Sequence, residues 1–369
     1  MGRRYFYGGQ AVMEGVMMRG QRQVAVAVRQ PDGRVALYSE PLTSWLYRSP
    51  IRNWPFIRGV FVLWDALLLG MRALTLSANV AFIGEEVLSN ADTSAALSPG
   101  RGVRNAEQDV TPATMPTGEL ATASDEKPPT GLAGPALWGT VAISILFSIG
   151  LFFVLPLVII HFLDRWIASS IVSNLVEGGV RLAILLGYLS IIGRVPDIRR
   201  VFGYHGAEHK TINAYEHGEP LDVASVQRQS TLHTRCGTGF LLVVVLFSIV
   251  VFAFLGRPPL PLRILSRILL VPFIAAVAYE FVRFGATHYG NRLVRLILTP
   301  SLALQRLTTR EPDDGMVETA IIAFKRVLVA DELLTHEEAG LDDTVAIDSN
   351  GVPLPAPAAV PLDALPFVL

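Results

Sequence analysis

Two histidines and a glutamate with a spacing suited to chemistry stand in the segment His205-Gly206-Ala207-Glu208-His209. On an α-helix, side chains four positions apart lie on one face, so His205 and His209 can offer two imidazoles to one metal ion. Glu208 lies beside the second histidine, where its carboxylate can act as general base on a water that the ion activates. The spacing predicts a divalent metal site, with zinc as the first choice of metal and Glu208 as the catalytic residue.

The order H-x-x-E-H is the one used by inverted zinc peptidases. A catalytic zinc has three protein ligands and one position open to water, so the histidine pair needs another ligand. The topology predicted below brings three candidates to the same membrane face, namely Glu280, Cys236 and His233. Inverted zinc peptidases take a distant glutamate as third ligand, which favours Glu280, but the sequence leaves the choice open.

A purely structural alternative stays open for each of these groups. A helical histidine pair is often a hydrogen-bonded part of a protein core. A single cysteine such as Cys236 often packs as a small apolar side chain. Glu280 can pair with Arg283 or Arg267 instead of binding a metal. In that case the polar cluster only fixes the packing of the protein.

Four further polar residues are candidates for substrate binding. Glu14 and Arg19 lie in the Gly- and Met-rich segment 7–20, where Glu14 can alternatively form a salt bridge that fixes the loop. Lys210 and Arg235 are basic residues near the histidine motif and can contact phosphate or simply face anionic lipid headgroups.

The elements that position these residues belong to a strongly apolar chain. Of its 369 residues 51% are apolar and 17% are charged, and the mean hydropathy is +0.43. Soluble domains carry about 25% charged residues, so part of the chain is predicted to lie in a membrane. The composition excludes a wholly disordered chain, a coiled coil and a small disulfide scaffold. The single cysteine excludes an internal disulfide and suits a reducing compartment.

The net charge of −1 hides an uneven distribution, because residues 1–58 are basic and residues 331–369 are acidic. A basic N-terminal segment and an acidic C-terminal segment argue against a nucleic-acid-binding surface, so no nucleic acid partner is expected. The first 20 residues lack the apolar core of a signal peptide.

Four apolar segments are predicted to cross the bilayer as helices, since about 20 apolar residues span its hydrocarbon core. They are residues 137–163, about 175–193, 236–256 and about 262–284. A fifth stretch, 56–84, contains Arg58, Asp65 and Arg72, which are costly at the bilayer centre. It is predicted to be an interfacial or re-entrant helix. The basic residues of 194–235 place that loop and both termini in the cytoplasm, at the plasma membrane.

The predicted fold is an α-helical integral membrane protein with about four transmembrane helices and a small α+β cytoplasmic part. Segment 22–40 alternates apolar and polar residues around Pro31-Asp32-Gly33 and is predicted to form a β-hairpin. Segment 7–20 is predicted to be a tight buried loop, and 316–334 a packed helix.

The predicted domain organisation follows from these segments. Its parts are a Gly/Met-rich loop and hairpin (1–55), an interfacial or re-entrant helix (56–87), a disordered linker (88–135), transmembrane helices 1–2 (136–193), a cytoplasmic loop with the histidine motif (194–235), transmembrane helices 3–4 (236–284), a cytoplasmic helical segment (285–337) and a disordered acidic, Pro/Ala-rich tail (338–369).

Taken together, four motifs resemble the YqhQ family of bacterial membrane proteins, which has relatives in plastids. They are YGGQAVMEGVMMRG (7–20), HGAEHKTINAYE (205–216), HTRCGTGF (233–240) and LQRLTTREPDDGMVETAI (304–321). The family is of unknown function and is described as predicted metal-dependent enzymes. The resemblance implies a polytopic membrane protein and suggests a metal at His205, Glu208, His209, His233 and Cys236. The family commonly has His-Pro-Arg-Cys where this chain has His233-Thr234-Arg235-Cys236.

Three functions fit these observations. The first is a membrane metal-dependent hydrolase acting at the cytoplasmic face on a membrane-protein segment, a peptide or a lipid. The second is a non-enzymatic scaffold or assembly factor with a structural polar or metal cluster. The coordination distinguishes the two, because a structural zinc site is closed by four protein ligands. The third, a transporter, is disfavoured because no inverted repeat is visible.

Overall fold

A computed structural model describes residues 7–42, 54–96, 135–256 and 258–354, with only the backbone described for 82–96, 135–138 and 260. Helices dominate the described residues. They are α1 (Ile57–Ala96), α2 (Pro135–Ile149), α3 (Leu155–Leu163), α4 (Ser170–Ile192), α5 (Pro196–His217), α6 (Val223–Gln227), α7 (Gly237–Ala253), α8 (Leu260–Thr287), α9 (Arg292–Thr308), α10 (Asp314–Ala330) and α11 (His336–Ala339). A π-helical turn, Gly150–Val154, joins α2 to α3.

One five-stranded sheet accompanies the helices, with its strands in the order of the chain. The strands are β1 (Gly8–Val12), β2 (Gly15–Arg19), β3 (Gln23–Arg29), β4 (Val35–Pro41) and β5 (Val345–Ala346). β1 to β4 pair antiparallel, and β5 adds in parallel to β4. The predicted hairpin is therefore confirmed as β3 and β4, with Gly33 in the turn at φ +89°.

The prediction of a tight buried loop for residues 7–20 is wrong, because this segment forms the β1–β2 hairpin. Gly9 and Gly15 are needed for the close approach of neighbouring strands. A Cβ at Gly15 would lie 2.2 Å from the carbonyl oxygen of Ala27 in β3. At the turn, Glu14 has φ +50°, in the left-handed region.

The two faces of the sheet pack against different helices, as the alternation of side chains along a strand requires. On the first face, residues such as Met18 and Ala25 pack with α5 and α10 in the larger core. On the second face, residues such as Met17 and Val26 pack with α1. Strands β2 and β3 thus separate two apolar layers.

Helix α10 forms the centre of the larger core. Phe324 is fully buried, and its ring meets those of Tyr7 and Tyr215 edge to face at 5.2 Å. Helix α5 passes close to the segment before α10, where a Cβ at Gly206 would lie 2.1 Å from the carbonyl oxygen of Arg310. The histidine motif is therefore carried on a rigid, tightly packed helix.

Four helical stretches are long and apolar enough to cross a membrane among the described residues. They are Ile57–Ala81, Gly139–Leu163, Ser170–Ile192 and Pro261–Thr287. Three of them correspond to predicted spans. The span predicted over 236–256 is instead the shorter apolar helix α7, of 17 residues. Helix α7 packs between α4 and α8 and also contacts α9.

The stretch predicted to be interfacial or re-entrant is one continuous helix, α1. One of its faces, including Leu69 and Leu76, packs on the sheet, and Asp65 forms a salt bridge of 3.0 Å with Arg19 in β2. The opposite face exposes large apolar side chains, among them Trp64. Because α1 extends to Ala96, the predicted linker does not begin at residue 88, while residues 97–134 lie outside the described part of the chain.

The tail predicted to be disordered from residue 338 is partly ordered. Helix α11 begins at a capping box formed by Thr335 and Glu338. After it, β5 joins the sheet, and Ile347 is buried in the second core. The burial of Ile347 explains why this part of the acidic segment is held against the sheet. Residues 355–369 lie outside the described part of the chain.

A buried ion cluster joins two of the long apolar helices, α4 and α8. Glu177 is 2.9 Å from Arg181, 3.2 Å from Arg267 and also paired with Arg263. Arg181 additionally donates to the carbonyl oxygen of Phe152 in the π-helical turn at 3.2 Å. Because each charge has partners inside the bundle, these helices can hold ionised groups buried between them.

Replacing Phe324 with alanine should destabilise the protein by about 3–5 kcal/mol, because a large cavity would remain between the two tyrosine rings. Leu333→Ala, at an exposed position, should change the free energy of unfolding by less than about 0.5 kcal/mol. Thermal and denaturant unfolding of the detergent-solubilised protein measure both effects. Equal stability of the two variants would contradict the central position assigned to α10.

Candidate metal centre

Helix α5 brings the two histidines of the motif together. It begins with Pro196 and ends at Gly218, which has the left-handed conformation (φ +75°) that terminates many helices. The rings of His205 and His209 lie one turn apart, with centroids at 4.4 Å. The predicted placement of both imidazoles on one helical face is thus observed.

Both histidines are oriented by backbone carbonyls from other parts of the chain. Nδ1 of His205 lies 2.8 Å from the carbonyl oxygen of Thr308, and Nδ1 of His209 lies 2.6 Å from that of Thr231. A carbonyl only accepts, so each Nδ1 carries the proton and donates it. In the neutral ring, Nε2 then has the lone pair, and this is the tautomer of a metal-ligating histidine.

Cys236 completes a set of three ligand atoms. Its Sγ lies 3.4 Å from Nε2 of His205, and the three donor atoms of His205, His209 and Cys236 lie within 4.8 Å of one another. Cys236 is also the N-cap of α7 and accepts from the N–H of Thr238 at 3.4 Å. Two imidazoles and one thiolate are ligands suited to zinc.

Glu208 is buried beside this triad. Its carboxylate accepts a hydrogen bond from the backbone N–H of Gly9. Burial raises the pKa of Glu208 to about 7, although the nearby His205 opposes the shift. A carboxyl group with a pKa near neutrality can both accept and return a proton.

The triad and Glu208 share one cavity of about 70 Å³, which has room for water. Its wall consists of Tyr7, Gly8, Gly9, His205, Glu208, His209, His233, Arg235, Cys236 and Gly237. The site is therefore built by β1, α5 and the start of α7, three elements that are far apart in the sequence.

His233 borders the cavity but is held by other partners. Its Nε2 lies 3.6 Å from a carboxylate oxygen of Glu216, which also pairs with Arg235. Its backbone N–H and carbonyl are both bonded by the side-chain amide of Gln305, at 2.9 and 2.8 Å. Burial lowers the pKa of His233, which keeps the ring neutral. His233 is adjacent to the triad, with its ring centroid 5.6 Å from that of His209.

Glu280 does not join this cluster, which corrects the ligand favoured by the sequence. Its carboxylate pairs with Arg58, whose Nε donates at 2.6 Å, and accepts from the N–H of Phe56 at 3.3 Å. The physical reason is the packing of α8 against the start of α1, which supplies a cation at the position of Glu280.

Three of the four candidate substrate-binding residues lie in ion pairs away from the cavity wall. Glu14 pairs with Arg200 at 2.6 Å, as in the salt-bridge alternative. Arg19 pairs with Asp65 of α1. Lys210 is buried and donates to the carbonyl of Gln227 and to Glu311, each at 2.7 Å. Arg235 is the candidate that lines the cavity.

The sequence did not identify Tyr7 and Gly9 as part of the site. Gly9 has a steric role, because a Cβ there would lie 2.6 Å from the carbonyl oxygen of Met17 and 2.9 Å from Cγ of Glu208. The hydroxyl of Tyr7 donates to Asp331 at 3.1 Å, which fixes the strand beside the cavity. Adjacent glycines in a strand are a signal for the close approach of another group.

Comparisons with known proteins agree with the motifs. A family model described as "Protein of unknown function (DUF1385)" matches residues 54–330. The "Uncharacterized protein YqhQ" of Bacillus subtilis (strain 168) is 30% identical over 323 residues, which cover 87% of this chain and 92% of the relative. No solved structure matches the chain.

Gly9→Ala should destabilise the protein by about 1–3 kcal/mol, because the added methyl group must displace Glu208 or strand β2. The neighbouring Gly8→Ala is a matched control, since a Cβ at Gly8 meets nothing within 4 Å. Thermal unfolding of both variants provides the measurement. If Gly9→Ala were as stable as Gly8→Ala, the close contact between β1 and Glu208 would be refuted.

Proposed function

The chain belongs to the DUF1385 family of proteins of unknown function, and for this member we propose a metal-dependent hydrolase at the cytoplasmic face of a membrane. The observation that carries the proposal is the convergence of three ligand atoms within 4.8 Å beside a buried carboxyl group. His205, His209 and Cys236 would hold the ion, and Glu208 would transfer protons.

A divalent ion bound there would supply a Lewis acid and lower the pKa of a water to about 7. Glu208 would act as the general base that takes a proton from the water attacking a carbonyl or phosphoryl substrate. The bond to the leaving group then breaks, and Glu208 returns the proton to that group. Arg235, at the cavity wall, would face the negative charge that develops on the substrate oxygen.

The placement of the site supports a substrate at a membrane surface. Cys236 stands at the first turn of the apolar helix α7, so the cavity lies at the level where an apolar helix begins. The basic residues of 194–235 favour the cytoplasmic side for this end. The substrate class would be a membrane-protein segment, a peptide or a lipid headgroup.

A structural zinc site in a membrane scaffold is the second candidate, because His233 stands next to the triad and could close the coordination. The contacts of His233 favour the catalytic reading. Its ring nitrogen faces Glu216 and Arg235 rather than the three ligand atoms. A site with three protein ligands keeps a position for water.

Zinc analysis of the detergent-purified protein should give about one ion per chain. The His205→Ala/His209→Ala variant should bind none, whereas His217→Ala, at an exposed position of the same helix, should bind as the parent does.

Cobalt substitution should give a sulfur-to-metal charge-transfer band that Cys236→Ser removes. His233→Ala should retain the metal. Loss of the metal from this variant would favour the closed, structural site. A parent that stays metal-free after incubation with zinc would end the proposal.

Glu208→Gln should retain zinc but lose hydrolytic turnover by about 10²–10⁴-fold, because the amide cannot accept the proton. A pool of quenched fluorescent peptides and of labelled phospholipids provides the probes, and only turnover that a chelator abolishes is counted. Glu311→Gln, which alters an exposed carboxylate paired with Lys210, is the control and should keep full turnover. Full turnover by Glu208→Gln would refute its role as base.

A further inference from the structure

A second cavity among the described residues lies away from the candidate metal centre. It has a volume of about 390 Å³, within the range of sites for small molecules. The sheet and α1 form its two main walls. The side chains that dominate these walls are Met17, Val24, Val26, Leu69, Ala73 and Leu76.

The sheet separates this cavity from the histidine cluster. Met17 faces the cavity, whereas its neighbour Met18 packs in the core that holds α5. Since successive side chains of a strand point to opposite faces, a molecule in the cavity cannot reach Glu208. The cavity is therefore a separate site with its own ligand chemistry.

The surroundings of the cavity are those of a membrane surface. Val141 contributes to its lining from α2, near the start of the apolar stretch Gly139–Leu163. The outward face of α1 exposes Trp64 and Leu67, each at 59%. An apolar opening between two apolar helices is accessible to a lipid chain and disfavours water.

One edge of the cavity carries a loosely matched pair of opposite charges. Arg72 and Glu40 approach only to 3.9 Å, and the side chain of Arg72 is 74% exposed. The hydroxyl of Tyr38 donates to Glu40 at 3.0 Å and holds that carboxylate at the rim. A cation and an anion side by side above an apolar cavity match a headgroup that carries both charges.

We propose that this cavity binds one acyl chain of a zwitterionic phospholipid of the phosphatidylethanolamine type. The chain would lie between the sheet and α1, the phosphate would face Arg72, and the ammonium group would face Glu40. The bound lipid would thereby attach the sheet, and with it the wall of the candidate metal centre, to the bilayer. The site does not depend on a metal ion, so Glu208→Gln should bind lipid as the parent does.

Photoaffinity labelling in nanodiscs tests the proposal. The probe is a phosphatidylethanolamine with a diazirine in one acyl chain, and mass spectrometry locates the label. Label is expected on Met17, Leu69 and Leu76. Ala73→Phe, which fills the cavity, should reduce this label about tenfold. Leu74→Phe, on the exposed face of the same helix, should leave it unchanged.

A second variant keeps the test independent of folding. Arg72→Glu leaves the apolar walls intact and should weaken labelling by the phosphatidylethanolamine probe, because two acidic residues would then face the phosphate. Label confined to exposed positions such as Trp64 would mean contact with bulk lipid only and would overturn the proposal. Equal labelling by phosphatidylglycerol or fatty-acid probes would overturn the headgroup assignment. Label that appears only after deletion of 355–369 would mean that the chain fills its own cavity.

Discussion

The contact between the Glu208 carboxylate and the backbone N–H of Gly9 is the interaction on which the site depends. An acidic group with 5% of its surface exposed is unfavourable in a core unless a hydrogen-bond donor reaches it. The donor is an edge strand, so β1 must lie against α5. Only a glycine at position 9 allows that approach, and the sheet, α5 and α10 are arranged around this contact.

The histidines impose a second constraint, because two distant segments must supply their carbonyl partners. Thr231 precedes α7 and Thr308 ends α9, and each fixes one imidazole through its Nδ1 proton. The turn before α7 is itself held by Gln305 of α9, which bonds both backbone groups of His233. The donor atoms are thus oriented by the same helices that support the apolar bundle.

Local patterns in the sequence predicted several of the elements but not their partners. The four-residue spacing of His205 and His209 predicted their shared face, and alternation predicted the β3–β4 hairpin. The glycines of segment 7–20 suggested a tight loop, because the steric roles of Gly9 and Gly15 become visible only when Glu208 and β3 are in place. Glu280 was favoured as a ligand because its charge partner, Arg58, lies 222 residues away in the sequence. The contacts of these residues depend on long-range packing, which local sequence patterns do not show.

The sheet is closed by residues from both ends of the chain, which has a consequence for synthesis. Tyr7 bonds Asp331 across 324 residues, and β5 adds to β4 only after residue 345 has emerged. Strands β1 to β4 are made first, and the long apolar helices are all produced before α10, which packs on one face of the sheet. Tyr7, which borders the cavity of the candidate metal centre, therefore gains its partner Asp331 only late in synthesis. A ribosome that stops before α10 releases a chain whose sheet lacks the helix that covers one of its faces.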